Sequence, residues 1–202
     1  MSGTDRRQQL LETALDFFAK KGFEGATTKE IAAAAGVTEA VIFRHFPSKQ
    51  ALYTAVLDYG THTPELQDWL AEAQACMDRN DDEGLMRMIT ANILKAYRHD
   101  PRLERILLFA ALEGTELGLE HKRGFSIPIA QLLCEYIARR QREGALRNDC
   151  EAFAILAAVG CMGQHWAMTT QMFGFCVPDI TDELIVEDFT RILMGGIAKG
   201  SR

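Results

Sequence analysis

The stretch from Thr27 to Leu52, TTKEIAAAAGVTEAVIFRHFPSKQAL, decides the fold, because two short helical patterns stand on either side of one glycine, Gly36. Thr27 and Glu30 have the spacing of a capping box, which predicts a helix that begins there and ends by Gly36. Thr38 can cap the next short helix. A helix of about eight residues is unstable alone, so both must pack against a third element.

The preceding segment supplies that element. It predicts a helix from about Thr4 to Lys21 that Gly22 ends, and Ser48 can cap a further helix after the short pair. One face of these helices is apolar, and its side chains can build a small core: they are Phe18, Phe23, Ile31, Ala35, Val37, Ile42, Phe46 and Leu52. The pattern predicts a helix-turn-helix, and the alternative is an ordinary helical corner.

The outer face of the second short helix favours the helix-turn-helix. Small residues there permit close approach, Arg44 can bind a guanine edge bidentately, and Val41 can touch a thymine methyl group. His45 and Lys49 stand where a phosphate could lie, beside a helix start whose free amides can bind an anion. This face therefore predicts contact with duplex DNA.

Beyond residue 60 the chain shows longer helical periods and no convincing strand alternation, so the fold class is predicted to be all-α. Helices are predicted near residues 64–79, 82–98, 101–115, 127–143, 149–173 and 182–199, with the longest loop from Gly118 to Pro128. The longest apolar run, Ala152 to Gly163, is too short to span a bilayer, so no membrane partner is expected.

The net charge of −6 is distributed unevenly along the chain. The first 60 residues carry seven basic and seven acidic side chains, so the acidic excess lies entirely in the remainder. An acidic body would confine DNA contact to one end of the molecule, and the alternative is an ordinary solvated surface. The five cysteines are odd in number and lack CxxC spacing, which is typical of reduced thiols in a cytoplasmic protein.

Together, the motifs FAKKGFEGATT, TTKEIAAAAGV, IFRHF and FPSKQAL resemble the TetR family of transcriptional regulators over about Arg7 to Leu57. The resemblance implies a homodimer, usually a repressor, that binds a palindromic operator and responds to a small effector. The positions implied to contact DNA are Thr28, Lys29, Thr38, Glu39, Ala40, Val41, Phe43, Arg44, His45 and Lys49. Phe43 stands where the family usually has tyrosine, so its ring can pack on sugar but cannot donate to phosphate.

Glu39 has two possible roles on this face. Its carboxylate could accept a hydrogen bond from a cytosine amino group, or it could stabilise the helix N-terminus. The second role is the expectation.

The family also implies roles for the later helices. Its last two helices pair with those of a second subunit, and the matching stripe here is Leu156, Gly160, Gly163, Ala167, Ile185, Phe189, Ile192 and Gly196. Its middle helices enclose an effector pocket, and the candidates, which predict an apolar ligand, are Met86, Ile89, Ile93, Phe109, Leu112, Phe125, Met162, His165, Trp166 and Thr169. The alternative for both sets is ordinary core packing within one chain.

Two domains are predicted: residues 1–47 as the DNA-binding helix-turn-helix, and residues 48–202 as a helical domain for effector binding and dimerisation. No cofactor or metal is expected, because Cys161 and His165 offer only two ligands on a helix face. Two other function classes are a helical carrier without DNA binding and an enzyme. The enzyme would have to use a pair such as Glu113 and Glu116, which a solvated helix end explains equally well.

Overall fold

The computed structural model describes residues 3–61, 63–124, 126–175 and 177–197, apart from the side chains of residues 119 and 122. Every regular element in these ranges is helical, which confirms the predicted all-α class. The helices are α1 (Gly3–Gly25), α2 (Thr28–Ala34), α3 (Glu39–His45), α4 (Lys49–Thr61), α5 (Pro64–Asp78), α6 (Asp82–His99), α7 (Arg102–Glu113), α8 (Glu116–Gly124), α9 (Ser126–Arg142), α10 (Ala152–Ala167) and α11 (Asp182–Ile197). A π-helical turn, Met168–Met172, follows α10.

The chain forms two compact units that are not continuous in sequence. The first unit combines residues 1–66 with residues 102–126, and the second combines residues 67–101 with residues 127–202. Helices α7 and α8 therefore belong to the same unit as the helix-turn-helix. The functional division predicted at residues 47 and 48 stays a prediction.

The first unit is built around an apolar core at the centre of the predicted helix-turn-helix. Phe18, Ile31, Ile42 and Leu52 have no exposed surface, since the apolar faces of α1 to α4 converge on one another. Ile106 of α7 is equally buried in this core, although it lies 54 residues beyond Leu52 in the sequence. The short helices are thus held by tertiary packing, as their length requires.

The second unit is centred on α6, α10 and α11, whose apolar faces bury one another. Its most enclosed side chains include Leu85 and Met86 of α6 and Ile155 of α10. One partly buried polar cluster joins α6 to α9, where Asp82 accepts a hydrogen bond of 2.5 Å from the Tyr136 hydroxyl and a 2.8 Å bond from Arg140 Nε. Because the acceptor is charged, these bonds are stronger than bonds between neutral groups.

Two predicted segments differ from the structure. The loop predicted from Gly118 to Pro128 is wrong, because α8 ends only at Gly124 and α9 begins at Ser126. Gly118 is helical and brings α8 close to α7, where a Cβ at this position would overlap the Cβ of Ala110. The predicted helix at 149–173 begins only at Ala152 and its last turn widens into the π-helical turn.

Among the described residues, none of the helices combines the length and the apolar character needed to cross a bilayer. Phe125, one of the predicted pocket residues, and Cys176, one of the five cysteines, lie outside the described ranges.

Candidate nucleic-acid interface

Helices α2 and α3 form the predicted helix-turn-helix around Gly36. Gly36 has φ +67°, in the left-handed region that favours glycine, and its amide donates to the Ala33 carbonyl at 3.1 Å. The amide of Val37 donates to the Ala32 carbonyl at 2.9 Å, which closes the turn. Nothing lies within 4 Å of a Cβ added at Gly36, so the backbone conformation alone requires glycine here.

The capping box at the start of α2 is confirmed. The Glu30 amide donates to Thr27 Oγ1 at 3.2 Å, and the Thr27 amide donates back to Glu30 Oε2 at 3.2 Å. Lys21 Nζ reaches Glu30 Oε1 at 2.6 Å. The hydrogen bond from Lys21 and those from Thr27 lower the pKa of Glu30 to about 2, so this carboxylate stays charged at neutral pH.

The helix start at Ser48 also agrees with the sequence, because the Ala51 amide donates to Ser48 Oγ at 3.0 Å. Thr38 occupies the N-cap position of α3, but its side chain makes no capping hydrogen bond. The start of α3 is therefore held by its backbone and by the residue that follows Thr38.

Helix α3 turns one face into the core and the other outwards. Ile42 is fully buried, whereas Ala40, Phe43 and Arg44 are exposed at the spacing of one helix face, and 45% of the Phe43 surface is accessible. Arg44 makes no hydrogen bond or ion pair with any residue in the described part of the chain. Its guanidinium is therefore available to a ligand.

Glu39 is held by a neighbour within the motif. Thr28 Oγ1, at the start of α2, donates to Glu39 Oε1 at 2.5 Å, in the first turn of α3. This bond joins the beginnings of the two short helices, and the negative charge lies at the positive end of α3. The structure thus gives Glu39 the supporting role expected from the sequence, while contact with a base stays a prediction.

The basic residues around this face differ in their surroundings. Lys29 is exposed, and the ammonium of Lys49 lies 4.5 Å from the centroid of the Phe23 ring, a cation–π contact. His45 and Val41 are half-buried, and His45 Nε2 is enclosed without a hydrogen-bond partner among the described residues. A phosphate contact through that nitrogen would require the imidazole to rotate.

The residues predicted to form a dimer interface fall into two groups. Gly163, Ala167 and Ile185 are buried within their own chain, and Phe189 packs in the same core, with its ring 6.4 Å from that of Trp166. These four residues pack within their own chain, and their role in a dimer interface stays a prediction. Leu156 and Gly160 are half-buried, whereas Ile192 and Gly196 are exposed.

The residues predicted to form an effector pocket are likewise divided. Phe109 and Leu112 belong to the first unit, where 84% of the Leu112 surface is exposed, so this side chain is not enclosed. Met86 and Ile89 fill the core of the second unit. The remaining candidates in the described ranges also belong to the second unit. His165 is exposed, and the half-buried ones are Ile93, Met162, Trp166 and Thr169.

An open cleft of about 220 Å³ lies in the first unit between α7 and α8, and its lining includes none of the predicted pocket residues. It is lined by Leu107, Ala110, Ala111, Gly114, Thr115, Glu116 and Gly118. Sequence reasoning missed this cleft because it placed a loop where α8 lies.

Sequence reasoning also missed the role of Glu113, whose carboxylate accepts hydrogen bonds from the amides of Phe23 and Glu24 at 3.1 Å and 3.2 Å. These partners lie about ninety residues apart in the sequence, so no local pattern could have revealed the contact.

A helix-turn-helix with an exposed second helix defines a DNA-binding regulator, and the comparisons with known proteins agree. The family model described as "Bacterial regulatory proteins, tetR family" matches residues 10–56. The chain is 33% identical over 173 residues to the HTH-type transcriptional regulator TtgR of Pseudomonas putida, covering 81% of each protein. The chain therefore belongs to the TetR family of DNA-binding transcription regulators.

Two further relatives extend over most of the chain. The HTH-type transcriptional regulator RutR of Escherichia coli is 26% identical over 197 residues, which cover 95% of this chain and 90% of RutR. The crystal structure of AibR in complex with isovaleryl coenzyme A and operator DNA has the same fold, with a TM-score of 0.66 and 23% identity, and covers 93% of this chain and 97% of AibR.

Proposed function

We propose that this protein is a ligand-responsive repressor that binds a palindromic operator as a homodimer and is released by a small, largely apolar effector. The observation that carries the proposal is the outward face of α3, where Ala40, Phe43 and Arg44 are exposed while Ile42 anchors the helix in the core. A short helix with a small residue, a ring and a free guanidinium on one face fits the major groove.

The contacts with DNA divide into two kinds. Arg44 and Val41 are proposed to read base edges, and Thr38, Ala40 and Phe43 to pack beside them. Thr28, Lys29, His45 and Lys49 are proposed to contact the backbone, where they set the register without reading sequence. Glu39, bound to Thr28, is proposed to hold α3 in place.

Dimerisation is supported by the apolar side chains that α10 and α11 leave exposed. Accessible fractions are 67% for Phe153, 44% for Leu184 and 64% for Ile192, and such side chains are typical of a surface that a partner covers. We propose that these three, with Gly160 and Gly196, meet the same residues of a second copy. A two-fold partner is what a helix-turn-helix needs to bind both halves of a palindrome.

The effector is proposed to bind in the second unit, around Met162, Trp166 and Thr169. The indole Nε1 of Trp166 is buried and has no hydrogen-bond partner among the described residues, and Met168 and Met172 pack in the same cluster. An apolar molecule that carries one hydrogen-bond acceptor would satisfy the indole and use the adaptable methionine walls. The crystal structure of AibR, which has the same fold, contains isovaleryl coenzyme A, a molecule with an acyl group.

Release follows from linkage between the two ligands. An effector that favours a dimer whose α3 helices no longer match half-sites about 34–36 Å apart weakens operator binding. A coupling free energy of about 1–3 kcal/mol changes the affinity by roughly 5–150-fold. Helix α4, which directly follows α3, is proposed as the lever. The protein is proposed to act in the cytoplasm, without catalytic activity, cofactor or metal.

Selection of duplexes from a random DNA pool, followed by footprinting of the region beside the protein's own gene, tests the proposal. We expect one inverted repeat to be enriched and protected, with occupancy that falls steeply as salt increases. If no duplex is enriched, and random duplex is ignored even at low salt, the chain does not regulate transcription through α3. Small molecules that raise the melting temperature of the protein are then added to the protein–operator complex, and at least one should dissociate the protein from DNA.

A further inference from the structure

The chain between α1 and α2 is held by a carboxylate from a distant helix. Gly22 interrupts α1 with φ 71° and ψ −177°, so the amides of Phe23 and Glu24 cannot continue the helical hydrogen bonds in register. Both amides donate to Glu113, the last residue of α7, at 3.1 Å to Oε2 and 3.2 Å to Oε1. Two successive amides that converge on one anion form a strong, directional site.

Gly22 also gives the Glu113 carboxylate the space that it occupies. A Cβ added at Gly22 would overlap Oε1 of Glu113, so the two residues are sterically matched. The positive φ and the close approach both favour glycine at this position. The contact between the Glu113 carboxylate and the amides of Phe23 and Glu24 therefore depends on both Gly22 and Glu113.

The rest of α7 is fastened along α1 by polar contacts on the same face. Arg102 donates to Asp16 at 2.7 Å and to Glu12 at 2.8 Å, and Arg105 Nε donates to the Ala19 carbonyl at 2.9 Å. Ile106, the residue after Arg105, is fully buried in the core of the unit. Helix α7 thus follows α1 from its middle to its end.

The segment that Glu113 holds leads directly into the DNA-binding motif. Phe23 and Tyr53 of α4 form a T-shaped pair with ring centroids 5.1 Å apart, and the Lys49 ammonium lies 4.5 Å from the Phe23 centroid. Five residues after Phe23, α2 begins at Thr28. The position of Phe23 therefore affects the starts of both α2 and α4.

We infer that Glu113 is a positioning residue for the helix-turn-helix. It transmits any displacement of α7 to α3 through the amides of Phe23 and Glu24. Helix α7 follows α6 of the second unit after only Asp100 and Pro101, so a change in α6 reaches it along the chain. The inference rests on the proposed ligand response, because it names a route, in addition to α4, by which that response reaches α3.

The test compares Glu113→Gln with Glu116→Gln in the full-length protein. Both substitutions remove one negative charge, but Glu116 is exposed on the neighbouring helix. Amide exchange measured by NMR should become about tenfold faster or more at Phe23 and Glu24 in the first variant, as expected for loss of a charge-assisted hydrogen bond, and stay unchanged in the second. Equal exchange in both variants would overturn the inference.

The second readout is sequence discrimination, which a merely structural contact would not change. Affinities for a duplex selected by the wild-type protein and for a scrambled duplex are measured at several salt concentrations. Glu113→Gln should lower the selected-to-scrambled ratio about fivefold or more, with scrambled binding and its salt slope unchanged, because the phosphate contacts remain. Faster exchange with an unchanged ratio would reduce Glu113 to a structural residue and overturn its positioning role.

A second variant guards against loss of folding in the first. Gly22→Ala displaces the carboxylate from the other side and should reproduce both effects, and adding Glu113→Gln to it should change little further. Gly174→Ala is the control for backbone strain, since Gly174 has φ +68° with nothing within 4 Å of an added Cβ. If the wild-type protein selects no duplex, the proposed function fails, while the exchange data still decide whether Glu113 holds the two amides.

The Tyr53 hydroxyl provides an independent local signal. Burial is the larger cause, and the charge of Glu113 the smaller, of a rise in the pKa of Tyr53 to about 12. Ultraviolet titration of Glu113→Gln should therefore show this tyrosine ionising at lower pH than in Glu116→Gln. An identical titration in the two variants would place the Glu113 charge away from this site and contradict the inferred arrangement.

Discussion

Replacing Ile192 by aspartate should separate the proposed dimer, because 64% of this side chain is exposed in the single chain and would be covered by the partner. Fully burying an isoleucine side chain contributes about 1.5–3 kcal/mol, so covering the exposed part contributes about 1–2 kcal/mol. A two-fold interface contains the residue twice, which doubles the effect to about 2–4 kcal/mol for each dimer. The buried carboxylates would add a desolvation cost to this loss.

A loss of about 2–4 kcal/mol raises the dimer dissociation constant by roughly 30- to 1,000-fold. Sedimentation velocity over a range of protein concentrations measures this change directly, and circular dichroism checks that the helices remain. The monomer should keep its stability, because a substitution on its exposed surface typically changes unfolding by less than about 0.5 kcal/mol. Operator binding should weaken in parallel, since one half-site contact is lost.

Leu112→Asp is the matched control, because Leu112 is 84% exposed but lies on α7 in the other compact unit. It should leave the dissociation constant as it is in the wild-type protein. If Ile192→Asp sediments as a dimer with wild-type affinity, the exposed face of α11 is not in the interface. If Leu112→Asp alone breaks the dimer, the interface lies elsewhere.

Three further predictions concern DNA recognition, two tyrosine hydroxyls and the stability of the protein at low pH. Arg44→Ala should weaken binding to the selected operator by about 1–3 kcal/mol and relax one base preference, whereas Lys49→Ala should lower the affinity for all duplexes alike and reduce its dependence on salt. Fluorescence anisotropy measures these affinities. If Arg44→Ala leaves both affinity and base preference unchanged, Arg44 does not read a base. Tyr136→Phe should lower the free energy of unfolding, measured in urea melts, by about 1.5–3 kcal/mol, because it removes a hydrogen bond to the Asp82 carboxylate. Tyr53→Phe should be neutral or stabilising, since the buried hydroxyl of Tyr53 has no partner among the described residues. The pKa of Glu30 falls from 4.5 to about 2 on folding, so its contribution to stability is present above pH 4.5 and is lost as the pH falls towards 2. In Glu30→Gln the free energy of unfolding should therefore depend less on pH in this range. An unchanged pH dependence would contradict the capping role.

The local parts of the fold were predictable because each depends on neighbours in the sequence. The capping box at Thr27 needs only a partner three residues away, and the turn at Gly36 needs only a residue that accepts positive φ. The outward face of α3 follows from helix periodicity once Ile42 is assigned to the core. These features were sufficient to predict the fold class and the DNA-binding motif.

The later helices were predicted less well because periodicity cannot distinguish the two kinds of apolar face. Apolar residues on one face of α10 and α11 can pack within the chain or against a partner subunit. In the single chain Ala167 and Ile185 are buried, whereas Ile192 is exposed. The sequence predicts a loop at Gly118, but this glycine lies in α8, where its lack of a Cβ allows close packing against Ala110. A glycine in sequence does not show which of its two uses applies.

The sequence by itself determined the helix-turn-helix and its outward surface, because capping, turn formation and helical period act over three to eight residues. Only the tertiary structure decided that α7 belongs with this motif and that Glu113 closes on the amides of Phe23 and Glu24. A contact between groups about ninety residues apart leaves no periodic signal, since it depends on where the folded backbone carries each end.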